Sequence, residues 1–555
     1  MAIDDYWFKN AVIYCLDVSS FMDCNGDGTG DFEGLSRRLD YLHALGVTCV
    51  WLQPFYGSPD RDNGYDVSDY YGVSPRLGSA GDFVECMNHA TRLGMRVVVD
   101  LVANHTSIDH PWFQSARADP NSPYRDWYVW SDKRPADHAS GMVFPPMQKT
   151  TWTRDEKAGK YYFHRFYEHQ ADLNTHHPAY REELYRIMGY WLQLGVSGFR
   201  MDAVPFLIER KGAGVKPVKD FGLLKEMRRF LQWRCRDAIL LAEANVPANE
   251  SPHYFGDEGD RLQMMLNFPV NQRLFYAFAT GDIKPLARAI RETAAVVPRD
   301  AQWVHFLRSH DELDLGRLTK TQRERVFQAF APDPGMQLYH RGIRRRLAPM
   351  LGNDRRRMEL AFSLLFALPG TPMLQYGDEI GMGEDLSLEE RHATRTPMQW
   401  TDEPHGGFTR AEKPLLPVIS DPIFGFQRVN VAAQRRDRGS FLNWLAHLIR
   451  IRKESIEIYW GDVQVIDTSD STPQVLALRY DFRGSCIVTL HNFSDQAQAP
   501  RLKLDHRADL RLVNILADEH SVADSGGIHE IPLDGYGYRW FRVGSVDDTL
   551  VRRSF

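Results

Sequence analysis

The 555-residue chain carries only six cysteines, Cys15, Cys24, Cys49, Cys86, Cys235 and Cys486, and none stands in a CxxC or other metal-type spacing. That scatter excludes a zinc module or a disulfide scaffold and reads as buried free thiols in a reducing compartment. Basic charge is not in excess: 67 Lys and Arg against 73 Asp and Glu leave a net charge of -6, which offers no field for nucleic acid. No apolar run approaches the ~20 residues that span a bilayer. The start, MAIDDYWFKN, lacks the apolar stretch behind a basic tip that marks a secretory leader. Nucleic acid and membrane are therefore set aside, and a cytoplasmic location is the default. Internal repeats and low-complexity tracts are missing as well.

What is present is a core-forming sequence, with 43% hydrophobic and 12% aromatic residues, including 13 Trp and 23 Tyr. Core and domain interfaces absorb most of these rings; the surplus suits stacking against flat ligands such as sugars. Apolar, β-rich runs at 11–18, 47–52, 95–102 and 196–202 alternate with helical periodicity. Further candidates follow at 238–244, 263–268, 302–310 and 372–379. Eight such strands over roughly 450 residues predict an α/β fold, a (β/α)8 TIM barrel with insertions. The barrel is expected over 1–105 and 176–457. Between them, 106–175 is rich in Pro, Asp, Trp and Tyr and reads as an irregular domain inserted after the third strand. From 458 to 555, short alternating strands predict a C-terminal antiparallel β-sandwich.

The stretch DCNGDGTGDFEG, 23–34, places Asp23, Asn25, Asp27 and Asp31 at alternating positions around Gly28, as in half of a calcium-binding loop. It is no EF-hand, because the bidentate Glu of position twelve is replaced by Gly34 and no partner loop exists. A solvated Gly-Asp turn is the alternative.

In a TIM barrel only the C-terminal rim gathers several strand ends around one pocket. Four predicted ends carry acids: Asp100 with Asn104 and His105, Arg200 with Asp202, Glu243, and His310 with Asp311. One Asp at a strand end is usually a turn former or cap; the set, with Arg and His beside the acids, is not. Converging carboxylates with an Arg to hold one ionised fit glycosidic-bond chemistry, which needs a proton donor for the leaving oxygen and a carboxylate at the anomeric carbon.

The stretches DLVANH, GFRMDAV, LLAEAN and SHDE, in this order, resemble the four signature regions of glycoside hydrolase family 13, the α-amylase family. The resemblance implies that Asp202 is the nucleophile, Glu243 the general acid/base and Asp311 the transition-state stabiliser. It also implies that Arg200 orients Asp202 and lowers its pKa, and that His105 and His310 bond the sugar. A retaining mechanism follows, with Asp202 and Glu243 about 5–5.5 Å apart. In exo-acting relatives NGYDVSDY and RTPMQW place an Asp and an Arg on the terminal glucose, here matched to Asp66, beside Tyr65, and to Arg395. The loop 23–31 would be a structural calcium site using Asp23, Asn25, Asp27, Asp31 and the carbonyl of Thr29; no organic cofactor is implied.

The segment GIRRRLAPMLGNDRRRMEL, 342–360, resembles the branch of the family that rearranges maltose into trehalose. The expected partner is thus a small disaccharide, and a homo-oligomer is expected by the same analogy. An α-glucosidase or α-glucosyltransferase acting on short α-1,4-glucosides is the alternative, and a non-enzymatic relative is disfavoured because all three acids are kept. The 106–175 excursion and the 320–357 insert are the expected lids.

Overall fold

The structure, a computed structural model, describes residues 3–468, 472–504 and 511–544. The outer ends of the expected first and last domains, 1–2 and 545–555, lie outside the described residues.

All eight anticipated strands form. They are β1 (Ile13–Leu16), β2 (Cys49–Leu52), β3 (Arg96–Leu101), β4 (Gly198–Met201), β5 (Ile239–Ala242), β6 (Met264–Leu266), β7 (Gln302–Phe306) and β8 (Thr371–Gln375). Each pairs in parallel with its sequence neighbour, and β8 returns to β1, so the barrel closes. The strands read as continuous apolar runs because both faces are buried. Ile13, Cys15, Trp51, Val98 and Leu241 pack in one apolar cluster, while the intervening Tyr14, Leu16, Val50 and Leu240 join the larger cluster that takes in the helices. All six cysteines are free; Cys24 and Cys235, expected to be buried, are partly exposed.

The excursion after β3 is more regular than its composition suggested. Its neck is an antiparallel pairing of His105–Ser107 with Gln170–Asp172. Above it lie the helix Pro111–Ala118 and a three-stranded sheet built on Lys160–Phe163. After β7, Leu313–Asp314, Gly342–Ile343 and Gln337–Leu338 form a small antiparallel sheet beside the helix Lys320–Phe330. The arginine run in this insert is not a solvated face. Arg344 donates to the carbonyls of Leu386 and Leu388, Arg345 pairs with Glu384 at 2.7 Å, and Arg346 donates to the carbonyls of Tyr376 and Thr394.

The C-terminal unit is a six-stranded antiparallel sheet of β9 (Asp462–Ile466), β10 (Val475–Phe482), β11 (Ser485–Asn492), β12 (Arg511–Asn514), β13 (His520–Ser521) and β14 (Tyr538–Gly544), in the order β9-β10-β11-β14-β12-β13. Its second layer is a two-stranded ribbon, Arg501–Lys503 with Ile528–Glu530, whose Leu502 joins Val475, Val488 and Phe541 in one core. The sheet docks on the helix Arg355–Ala367: Ser363 Oγ meets His491 Nε2 and accepts from Trp540 Nε1, both at 3.0 Å.

Candidate active site

Period-two alternation puts Asp100 on β3 and Arg200 on β4 inside the barrel at its C-terminal rim, and the chain turns sharply just beyond. Ala203, directly after Asp202, sits in the left-handed region at φ 48°, ψ 42°. Such a conformation costs a non-glycine residue about 1–3 kcal/mol and is held by its surroundings. Here the Ala203 amide region is framed by Glu243, whose carbonyl accepts from Val204 N at 3.1 Å, so the two strand ends are locked side by side.

Arg200 is the hub. Its Nη1 donates to Asp100 Oδ1 at 2.5 Å and Asp202 Oδ1 at 2.9 Å, and its Nη2 donates to Glu243. The guanidinium is only 1% exposed and lies over the Trp51 ring, while Trp51 Nε1 donates to Asp100 Oδ2 at 2.9 Å. Arg200 thus holds Asp202 on one guanidinium nitrogen and Glu243 on the other, which sets the two carboxyls side by side at the rim, as retaining chemistry requires.

Burial dominates the protonation of both acids. It pushes Asp202 up to about 6 against the pull of Arg200, with Asp100 and Asp311 adding to the rise. Glu243 goes to about 7, again by burial first, although its side chain keeps 26% of its surface open to the cavity. The expectation that Arg200 sets a depressed pKa for Asp202 therefore needs correction: Arg200 limits a rise caused by dehydration. Asp311 behaves oppositely. Burial works against its ionised form, but His310, Arg391 and Arg395 hold it well below the usual carboxylate value. Burial lowers His310 in turn, against the opposing pull of Asp311, whose Oδ2 lies 3.2 Å from its Nε2.

The cavity at this rim has a volume of about 520 Å³ and is lined by Asp202, Glu243, Asp311, Arg200, Tyr65, His105 and His310 among others. The Tyr65 hydroxyl lies 2.7 Å from His310 Nε2, with the two rings parallel. His105 reaches the cavity wall, but its nitrogens already face the Tyr65 carbonyl and the Asn104 amide, at 3.1 and 3.2 Å. It presents an uncharged ring, since burial lowers its pKa to about 4.

Two anticipated wall residues are elsewhere. Asp66 is fully buried beneath its loop, accepting from Ser58 Oγ and the amides of Arg61 and Asp62. Arg395 lies behind Asp311, with Nε on the His310 carbonyl at 2.9 Å. The cavity wall instead includes Asp62 and Arg391, each four residues before its expected counterpart and just ahead of the motif itself. Arg391 donates to Asp62 Oδ1 at 2.6 Å and to Asp311 Oδ1 at 2.7 Å. Sequence reasoning also passed over Glu312, which lines the same cavity, is pushed to about 7 mainly by burial and lies 3.6 Å from Arg341. The signal for them was weak: Asp62 and Arg391 stand just before the two motifs, among other acids and arginines, and Glu312 ends SHDE.

Arg391 gives a stability prediction. Its side chain is 9% exposed, and Arg391→Ala strips Asp62 of its guanidinium and leaves Asp311 to Arg395 and His310. A loss of about 3–5 kcal/mol is expected, measured by denaturant unfolding, with Arg391→Lys intermediate because it keeps the charge but not the fork. An Arg391→Ala protein as stable as wild type would show the pair to be idle.

A roof of aromatic rings spans the excursion and the insert beside the pocket. Phe144 and Phe166 of the excursion, Ala203 and Tyr339 of the insert pack in one apolar cluster, with the Phe144 and Tyr339 rings 4.7 Å apart. The Tyr167 and Tyr339 hydroxyls both donate to Glu390 Oε2, at 2.7 and 2.9 Å, and Arg341 donates to the Val143 carbonyl at 2.7 Å. Both expected lids thus touch each other and contribute to the wall of the cavity that holds the rim acids.

Comparison with known proteins agrees with this geometry. The profile of the α-amylase catalytic domain matches residues 15–331 and 343–461, and that of a sucrose hydrolase-like C-terminal domain matches 484–542. The chain is 42% identical over 553 residues to a trehalose synthase of Thermus thermophilus, covering 99% of this chain but 56% of that protein. It is 40% identical to a trehalose synthase of Pimelobacter sp., covering 98% and 97% of the two. Among solved structures, the trehalulose synthase MutB of Pseudomonas mesoacidophila superposes with a TM-score of 0.75 at 26% identity, covering 97% and 99%. An α-amylase from H.orenii gives 0.77 at 25%, covering 96% and 99%. With its closed eight-stranded barrel and acid-bearing rim, the chain belongs to the α-amylase family, glycoside hydrolase family 13.

Proposed function

We propose that the protein isomerises maltose to trehalose by intramolecular transfer of a glucosyl unit. The roof carries this reading, because an isomerase must keep water from its glycosyl intermediate while the freed glucose turns. The two trehalose synthases similar over nearly the whole of this chain support it. Asp202, ionised, attacks the anomeric carbon of the non-reducing glucose. Glu243 gives its proton to the bridging oxygen, whose bond to that carbon breaks. The released glucose presents its own anomeric hydroxyl, Glu243 takes back that proton, and the oxygen displaces Asp202 to form the α,α-1,1 bond. Asp311, kept ionised by Arg391 and Arg395, supports the positive charge that develops at the anomeric carbon. The Asp62–Arg391 pair forms the wall behind the reacting glucose, which suits a disaccharide better than starch.

The test is to incubate purified protein with maltose and resolve the products. Trehalose should dominate with glucose minor; glucose alone would replace this reading with the α-glucosidase one. Tyr339→Ala, which opens the roof, should raise the glucose fraction without abolishing cleavage.

The 23–31 loop suits a structural calcium ion in its chemistry, with hard oxygens at alternating positions. Asp23 and Asp31 are buried acceptors of loop amides: Asp23 takes Gly26 N and Gly28 N, and Asp31 takes Cys24 N, Asn25 N and Gly34 N. Gly28, at φ +95°, is required here, since a side chain would strike the Lys413 carbonyl. Among the described residues, no three His, Cys, Asp or Glu side chains gather closely enough to hold a metal. The loop therefore stands on its own amides, and calcium would add to it. Calcium at a hundredfold excess over Kd should stabilise the protein by about 2.7 kcal/mol; a melting temperature unmoved by chelator would remove the ion from the account. A cytoplasmic location is supported by the six free thiols. Among the described residues, no helix is long and apolar enough to cross a membrane.

A further inference from the structure

At the opposite end of the barrel from the acids, a second cavity of about 730 Å³ lies between the strand N-termini and the C-terminal sheet. The barrel contributes Thr48 and Arg96 at the starts of β2 and β3; the C-terminal sheet contributes Phe482 and Arg483 from the β10–β11 turn. Nothing in the proposed chemistry uses it.

Its lining combines two kinds of group. Trp7, Tyr459, Trp460 and Phe482 supply partly exposed aromatic surface. Arg299, Lys453 and Arg483 supply positive charge, and none has an ion-pair partner among the described residues. Arg96 is balanced by Asp237 at 2.6 Å, and Trp7 Nε1 donates to the Asp237 carbonyl, so that side is fixed. The one carboxylate in the lining, Asp300, accepts from the Tyr6 hydroxyl at 2.9 Å. Just beyond, Lys9 sits over the Trp460 ring at 4.6 Å, adding a further cation. Burial lowers the pKa of both Lys9 and Lys453, so their charge is held where water solvates it poorly. An acidic chain has no solubility reason to gather cations in one concavity. Repulsion among them is relieved by an anion, and the rings add a surface for a flat partner.

We propose that this cavity is a second, non-catalytic binding site for a small ring compound carrying a phosphate group, such as a phosphorylated hexose or a nucleotide. The phosphate meets Arg299, Lys453 and Arg483, while the ring lies against Trp460 and its neighbours. Because the site joins barrel and C-terminal sheet, its ligand binds the assembled chain and not the unfolded one, and stabilises it by mass action.

Calorimetry and thermal unfolding on the full chain test this with glucose 6-phosphate, AMP, inorganic phosphate and maltose. One or both of the first two should bind and raise the melting temperature, more tightly than inorganic phosphate; whichever binds tighter names the source of the ring. The double variant Arg299→Ala/Arg483→Ala, at exposed positions, should weaken that binding by at least about tenfold with maltose turnover unchanged. No binding at millimolar concentration, binding undiminished in the double variant, or displacement by maltose would each overturn the site. Inorganic phosphate binding as tightly as the ring compounds would overturn the stacking component. The binding and melting readouts do not depend on the identity of the reaction at the other rim.

Discussion

Asp202→Asn abolishes turnover of maltose while the barrel still folds. Without a nucleophile there is no glycosyl intermediate, and kcat should fall by about 10⁴-fold or more. The fold survives because Asp202 is a liability to it. Burial raises its pKa from 3.8 to about 6, so the folded state disfavours the ionised form. For a carboxyl raised in this way, the destabilisation is complete above the folded value and disappears as pH falls towards the ordinary one. The asparagine variant should therefore match or exceed the wild-type melting temperature at pH 7, and the gain should shrink towards pH 4. A variant that retains activity would end the assignment; one that fails to fold would show the Arg200 hub to be structural.

Glu243→Gln lowers kcat on maltose by about 10²–10⁴-fold and changes the shape of the pH profile. On the proposed mechanism, wild-type activity needs Asp202 ionised and Glu243 protonated. With the two at about 6 and about 7, the profile is a narrow bell, falling below the first and above the second. The two carboxyls share Arg200, so the limbs report the pair. In Glu243→Gln the residual activity should lose its alkaline limb and keep the acid one. An unchanged bell would move the proton donor elsewhere, and Glu312, also near 7 and in the same cavity, is the first place to look.

Much of this was legible in the chain. The eight strands could be read because parallel strands covered on both faces are continuous apolar runs, and the acids because each follows a strand end closely, Asp202 and Glu243 by one residue and Asp311 by five. What could not be read was the choice among like residues. NGYDVSDY and RTPMQW sit beside several acids and arginines, and the pattern of types favoured Asp66 and Arg395. The fold instead turns Asp62 and Arg391 into the cavity and puts the other two underneath. The arginines of 344–346 carried no sign that they would be sunk into carbonyls from 376 to 394, because their partners lie tens of residues away.

The sequence by itself therefore determined the barrel, the order of its strands and which carboxyls stand on its rim, since these follow from local periodicity and from position at strand ends. Tertiary structure alone decided how those carboxyls are charged and what encloses them. Burial, more than the adjacent Arg200, sets Asp202 and Glu243, and burial is a property of everything packed around a group. The roof is likewise a contact between Phe144 and Tyr339, nearly two hundred positions apart. No spacing in a linear pattern specifies it; only the folded chain brings the two rings together.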